Sequence, residues 1–311
     1  MPQAWRLVLD PPAHGVWNMA VDEALLASAQ AGGVPTLRLY AWRGPWLSLG
    51  YAQSLSRERA QACERAGVGV VRRATGGRAV LHGADLTYAV AAPEPELPPG
   101  LQACYALVSQ VLLRALSALG VEAELAARPM GPRSEPAFDC FAHASGDEIC
   151  VGGRKLAGSA QRRAAGAVLQ HGSLRLAPDP APAASAAGSV LSAATSLREL
   201  GVSASAAMLR DAMAAAFAAE LGVLLLPGTL GAEECAFATQ RAAAPREKPW
   251  DPPAPLGHFP QGPLPPTDKL EERGLSPRLP PTEARGPWPS TSAGSSRPPR
   301  SSSRRARSTK P

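Results

Sequence analysis

Arg72-Arg73-Ala74-Thr75-Gly76-Gly77-Arg78-Ala79-Val80-Leu81-His82 is the stretch on which the reading of this 311-residue chain turns. It mixes glycine, charge and small polar groups without the period of a helix or a strand. A Gly-Gly pair lets the backbone take positive φ, or approach a ligand closely, at little steric cost. The arginines around it suit phosphate or carboxylate partners. Two readings fit: an anion-friendly turn, and a hairpin turn whose arginines are solvated.

A second stretch has the same character. Gly152-Gly153-Arg154-Lys155-Leu156-Ala157-Gly158-Ser159-Ala160-Gln161 continues to Leu169-Gln170-His171-Gly172-Ser173-Leu174. Small residues at 157–160 leave room for a ligand beside a strand, and Lys155 can direct a cation into that room. A glycine-rich hairpin with a solvated lysine fits the spacing equally well.

Outward from these stretches, helical and strand-like segments alternate. Asn18-Met-Ala-Val-Asp-Glu-Ala-Leu-Leu opens with an Asn cap and then shows helical apolar spacing. Thr36–Trp42 and Trp46–Tyr51 alternate as strands do. Ser56–Ala66 reads as a short helix, and Val68–Arg72 and Leu86–Val90 as strands. Leu101–Leu119 reads as a long amphipathic helix closed by Gly120. Strands are expected over Glu148–Val151 and Val168–Leu176, and helices near Ser189–Leu200 and Ala204–Leu221. The pattern predicts one α+β domain over residues 1–245, with antiparallel strands joined by short turns.

Composition breaks near residue 245. The last 66 residues hold 16 of the 33 prolines and end in a Ser/Arg run, so 246–311 is expected to be a disordered tail. That tail carries 12 Lys/Arg against 6 Asp/Glu, which is the whole net charge of +6. The first 245 residues are neutral, which argues against a nucleic-acid-binding domain. Five scattered cysteines (63, 104, 140, 150 and 235) without CxxC spacing argue against a disulfide framework and a zinc cluster. Arg6, Asp10 and two prolines break the early apolar run, so no signal peptide is expected. No uninterrupted apolar stretch is long enough to span a bilayer. A reducing cytoplasmic setting follows as the expectation, with no membrane partner.

Four motifs occur in one order: Asn18-Met-Ala-Val-Asp-Glu, Trp46-Leu-Ser-Leu-Gly-Tyr, Arg72 to His82, and Gly153-Arg-Lys-Leu-Ala-Gly-Ser-Ala-Gln. Together they resemble the lipoate ligase, octanoyltransferase and biotin ligase superfamily, from about residue 5 to about 245. Within it the chain is most similar to the LipM-type octanoyltransferases. The glycine loop reads Thr-Gly-Gly-Arg, without the third glycine typical of ATP-dependent lipoate ligases. Leu169-Gln-His-Gly-Ser-Leu follows Gly-Ser-Ala-Gln as it does in the octanoyltransferases. Cys140-Phe141 precedes Lys155 by fifteen positions, the family spacing of nucleophilic cysteine and lysine. The chain departs from the pattern at Ala144, where the family places a proline before the serine.

The resemblance implies a biotin/lipoate protein ligase-like catalytic domain, a mixed and largely antiparallel sheet flanked by helices. It implies an acyltransferase with Cys140 and Lys155 as catalytic residues and with no cofactor or metal. Cys140 would take an octanoyl group from octanoyl-acyl carrier protein as a thioester. A lysine of the glycine-cleavage H protein or of a lipoyl domain would then accept it. Substrate-binding positions would be Arg72, Arg73, Thr75, Gly76, Gly77, Arg78, His82, Gly158, Ser159, Ala160 and His171. Arg72, Arg73 and Arg78 admit two roles, shaping the tunnel mouth or meeting the acidic carrier and its pantetheine phosphate. His82 and His171 admit proton transfer, against a plainer reading as loop histidines that satisfy backbone groups. Cys150 lies five positions from Lys155, which in a single strand puts the two on opposite faces. It and the other cysteines read as small buried apolar groups. The rival activities are an ATP-dependent lipoate–protein ligase, in which Lys155 would bind the adenylate, and an octanoyl amidotransferase between lipoyl proteins. A catalytically silent carrier-binding module is a third reading, of a different class.

Overall fold

The strands expected from the sequence assemble into two sheets. The computed structural model describes residues 2–126, 138–142, 148–189 and 194–244. In chain order it contains β1 (Ala4–Leu9), α1 (Gly15–Gln30), β2 (Thr36–Tyr40), β3 (Trp46–Leu49), α2 (Arg57–Arg65), β4 (Gly69–Arg72), β5 (Val80–His82) and β6 (Asp85–Pro93). There follow α3 (Leu101–Ala118), β7 (Glu124–Leu125), β8 (Ile149–Val151), β9 (Arg154–Ala164), β10 (Ala167–Arg175), α4 (Ala181–Ala187), α5 (Ala206–Leu221), β11 (Leu224–Gly228) and α6 (Ala232–Ala243). The large sheet runs β11-β1-β2-β6-β10-β9-β8-β7, and a small one runs β4-β3-β5. The large sheet is parallel at its β11-β1-β2 edge and antiparallel elsewhere. This is the α+β, mixed and largely antiparallel arrangement expected from the sequence.

Strand β6 is covered by helices on both of its faces. Its residues from Asp85 to Ala92 are all buried. Leu86, Tyr88, Val90 and Ala92 join a core with α3 and α5 on one face, while Ala89 and Ala91 join a second core with α1 and α6 on the other. A strand covered on both faces loses the polar alternation of a half-solvated one. A third cluster lies under the small sheet, where Leu47, Leu49 and Leu81 meet Ala183, Ala184 and Ala187 of α4. Ser56 caps α2 by accepting from the Arg59 amide at 3.2 Å, and Ser205 caps α5 by accepting from Met208. Helix α3 is long and apolar enough to cross a bilayer by length and composition. Here it packs Val108, Val111, Leu112, Ala115 and Leu116 into the core.

Two sequence expectations need correction. Asn18 does not cap the first helix, which begins a turn earlier at Gly15 with His14 as its cap. Asn18 instead lies buried, donating to the Ala41 carbonyl at 3.1 Å and accepting from Arg38. Of the helix expected near Ser189–Leu200, the described residues 194–200 form none. Thr195 donates its amide to Lys155 O, and Leu197 and Arg198 donate theirs to Arg175 and Leu176, so this backbone runs along the sheet. Residues 190–193, Ala144 with its family departure, and the tail from 246 lie outside the described residues.

Candidate active site

The glycine stretch from 72 to 82 is a turn between two strands of the small sheet, β4 and β5. Gly77 takes φ +91°, a region open to glycine, and a Cβ on Gly50 would stand 1.9 Å from the Gly77 carbonyl oxygen. Two glycines are therefore needed for the turn to lie on the β3 end. Arg72 and Arg73 hold it there from within. Arg72 donates to the carbonyls of Gly50, Tyr51 and Gln53. Arg73, buried, donates to Ser48 and to the carbonyls of Gly76 and Arg78. Of the three arginines offered to an external anion, these two are engaged with the chain's own oxygens. Arg78 stands half-buried beside Gly76 and Gly77, both of which are exposed.

Cys140 is pinned to the far end of this turn. Ala79 donates to Phe138 O at 3.2 Å, and the Cys140 amide donates back to Ala79 O at 2.8 Å. Strand β9 brings Lys155 to the same point from the large sheet. Its side chain is fully buried, and Nζ donates to Cys140 Sγ at 3.2 Å and to Cys140 O at 2.8 Å. Nζ also pairs with Glu148. Burial pulls the Lys155 amine down, but the Cys140 sulfur and the Glu148 carboxylate outweigh it and hold the amine above its ordinary value. The ammonium form is therefore the stable one at neutral pH. A glycine-rich hairpin does turn at Gly152-Gly153, both at positive φ, but its lysine is enclosed rather than solvated.

That hairpin also corrects the placing of Cys150. Cys150 lies on β8 and Lys155 on β9, so the premise of a single strand fails and the two are register partners. The Cys150 thiol is buried, and burial pushes it up.

Two buried carboxylate–histidine pairs lie beside the cysteine. His171 Nδ1 is 2.8 Å from Asp22 and its Nε2 is 2.6 Å from Thr75 Oγ1. His82 Nδ1 is 2.8 Å from Asp85 and its Nε2 is 2.8 Å from Ser48 Oγ. Burial would raise the Asp22 carboxyl, yet His171, Arg38 and Tyr40 hold it below its usual range. Burial pushes His171 below its own ordinary value despite Asp22, which leaves a neutral ring near pH 7. Both histidines sit on strands and bond side chains, not the backbone groups of the plainer reading.

A cavity of about 40 Å³ brings these parts together. Cys140, Gly77, Gly158, Ser159, Ala160, Arg73, His82 and His171 line it, along with Met19, Tyr40 and Trp42. Ser159 also meets the Tyr88 hydroxyl at 2.5 Å. Among the described residues no group of three or more His, Cys, Asp or Glu side chains could hold a metal ion. Glu148, Asp22, Asp85 and Trp42 were not singled out from the sequence. Asp22 left one signal, its place four residues after Asn18 on one helix face. Glu148 left none.

A family model, the lipoyl protein ligase A/B catalytic domain, matches residues 14–218. The octanoyltransferase LipM of Kyrpidia tusciae is 40% identical over 266 residues, covering 78% of this chain and 96% of that protein. The octanoyltransferase LipM of Symbiobacterium thermophilum is 42% identical over 253 residues, covering 75% and 92%. A solved lipoate-protein ligase A bound with ATP superposes with a TM-score of 0.65 at 22% identity, covering 77% of this chain and 94% of that one. The bi-partite lipoate protein ligase of Thermoplasma acidophilum gives 0.61 at 23% identity, covering 77% and 92%.

Proposed function

The chain belongs to the lipoyl protein ligase A/B catalytic-domain family, among its LipM octanoyltransferases, and on that footing we propose a two-step cysteine relay. Cys140 takes an octanoyl group from the thioester of an acyl carrier protein and passes it to a lysine of a lipoyl-bearing protein. The observation that carries this reading is the enclosed Lys155 ammonium, 3.2 Å from Cys140 Sγ at the wall of the cavity.

In the first step Sγ attacks the thioester carbonyl. A bond to the enzyme sulfur forms, the carrier C–S bond breaks, and the carrier sulfur leaves with the electron pair. One thioester replaces another, so little free energy changes. In the second step the acceptor amine attacks, an amide forms, and Cys140 leaves as the thiolate. A free thiol is ionised to only a few per cent near pH 7. A fixed ammonium at hydrogen-bond distance offers a counter-charge to the sulfur in both steps. Arg73, which faces Cys140 from the glycine turn, adds a second buried cation.

Gly77, Gly158, Ser159, Ala160, His82 and His171 are the walls against which the acyl chain would lie. Thr75 and Gly76 place that turn, and Arg72 locks it from outside the cavity. Arg78 is the arginine left to meet an acidic carrier. The acceptor is the H protein or a lipoyl domain. Five free thiols suit a reducing cytoplasmic setting.

Incubation with octanoyl-carrier protein should give a hydroxylamine-sensitive adduct that maps to the Cys140 peptide. Cys140→Ala should lose the adduct and the transfer activity, while Cys150→Ala keeps both. Full transfer by the Cys140→Ala chain would reject the relay, and pyrophosphate exchange with ATP and free lipoate would then identify a ligase.

A further inference from the structure

Lys155 is held by more than the Cys140 sulfur. Its side chain is wholly enclosed, and besides Cys140 its ammonium pairs with Glu148, whose side chain is 11% exposed. Glu148 Oε1 also lies 4.0 Å from Cys140 Sγ. While the sulfur is a thiolate, two anions flank one cation. Once the sulfur carries an acyl group, its charge is gone and the carboxylate is the counter-charge that remains at Nζ. A buried amine without an anion loses its proton at far lower pH than a solvated one.

Resting on the cysteine relay above, we propose that Glu148 is a positioning residue that keeps Lys155 charged while Cys140 is acylated. The carboxylate carries the cation through the state in which the sulfur cannot. When the acceptor amine attacks, its nitrogen bonds the carbonyl carbon and the C–S bond breaks. Sγ takes the electron pair beside a waiting ammonium, and the proton shed by the amine goes to solvent. Lys155, already protonated, neither gives nor receives a proton in this step.

The other charged or titratable groups near the pair do not substitute for Glu148. Cys150 faces Lys155 across the β8–β9 ladder, with its thiol pushed up by burial and by Glu148. Arg175 lies 5.2 Å from the Phe141 ring that Lys155 approaches at 5.0 Å, and it is paired with Asp179. Arg73 faces Cys140 from the glycine turn. The two cations, Arg175 and Arg73, would only disfavour a second charge.

The test times the two half-reactions separately, with octanoyl-carrier protein as donor and a lipoyl domain as acceptor. Discharge of the isolated acyl-enzyme is followed between about pH 6 and pH 9, and ratios to the unaltered chain cancel the acceptor amine's own titration. Glu148→Gln should discharge about tenfold slower or worse at the alkaline end, one pKa unit being tenfold in charged lysine. The deficit should close toward pH 6 as Lys155 regains its proton. Glu148→Asp, which retains the charge, should run parallel to the unaltered chain. A Gln variant whose profile parallels the unaltered one, or an Asp variant with the pH-dependent deficit, overturns the proposal. An unaltered chain that takes no adduct rejects the relay, and this inference with it.

Discussion

A methyl group placed at Gly158 probes the distance on which the chemistry depends. A Cβ there would stand 2.9 Å from Lys155 Cε, 3.0 Å from its Nζ and 3.7 Å from Cys140 Sγ. Something must give at such separations, and the far end of the lysine gives most readily. Gly158→Ala should therefore move the ammonium off the sulfur with little effect on the fold. Displacing a catalytic group by about 1 Å costs roughly a hundredfold in rate, so octanoyl loading should fall by that order while the thermal midpoint holds. Undiminished loading would show that the lysine's position is immaterial. At this scale the sequence was legible where a motif fixed the spacing, as with Cys140 and Lys155. It was opaque where a contact depends on a loop closing back on a strand. Glu148 is seven residues from Lys155 on the other arm of a hairpin, and no periodic pattern announces that they meet.

Between elements, the tie of greatest consequence joins α1 to the large sheet. Asn18 and Asp22 on α1 bind Arg38 on β2, while Asp22 also accepts from Tyr40 and pairs with His171 on β10. Removing one partner of a buried pair costs about 3–5 kcal/mol when the other charge is left uncompensated. Arg38 would keep Asp10, 2.7 Å from its Nε, so Asp22→Ala should lower stability by no more than about 3 kcal/mol, read from the denaturant midpoint at unchanged slope. Acid should act on the same network. Since burial lowers the His171 pKa, the unfolded chain binds more protons below its value of about 6.5. Stability should therefore fall as pH drops through about 6.5, and His171→Gln should flatten that part of the curve. Asp22 and Asp85, held below the usual carboxylate range, add a further loss at lower pH, where they must protonate. A stability curve that rises between pH 7 and pH 5.5 would contradict the assignment of a neutral buried ring. Helix and strand periods located α3, α5, β2 and β10 to within a residue or two. They missed β1 and β11, which pair in parallel across more than two hundred residues of chain. They also placed a helix over residues 194–200, where the amides of Thr195 and Leu197 instead donate to Lys155 on β9 and Arg175 on β10.

For the whole molecule, lipoate ligases and this chain share one scaffold, with TM-scores of 0.61 to 0.65 against the solved ligases. Fold alone does not separate their chemistries; the assignment to acyl transfer rests on the curated relatives and, in mechanism, on a cysteine beside a lysine. Among the described residues, the contacts that hold that pair and every strand of both sheets lie before residue 245. The net charge of +6 lies after it. A chain ending at Pro245 should then keep its thermal midpoint within about 2–4 °C, the shift that 1 kcal/mol makes in a domain of this size. Its octanoyl loading should be unchanged, and it should lose its retention on a cation exchanger. The salt dependence of loading distinguishes the two places from which an acidic carrier could be steered. If Arg78 and the glycine turn attract it, the truncated and full chains should slow equally as ionic strength rises. A truncated chain that loads slowly at low salt and no longer responds to added salt would move the docking role to the residues beyond 245.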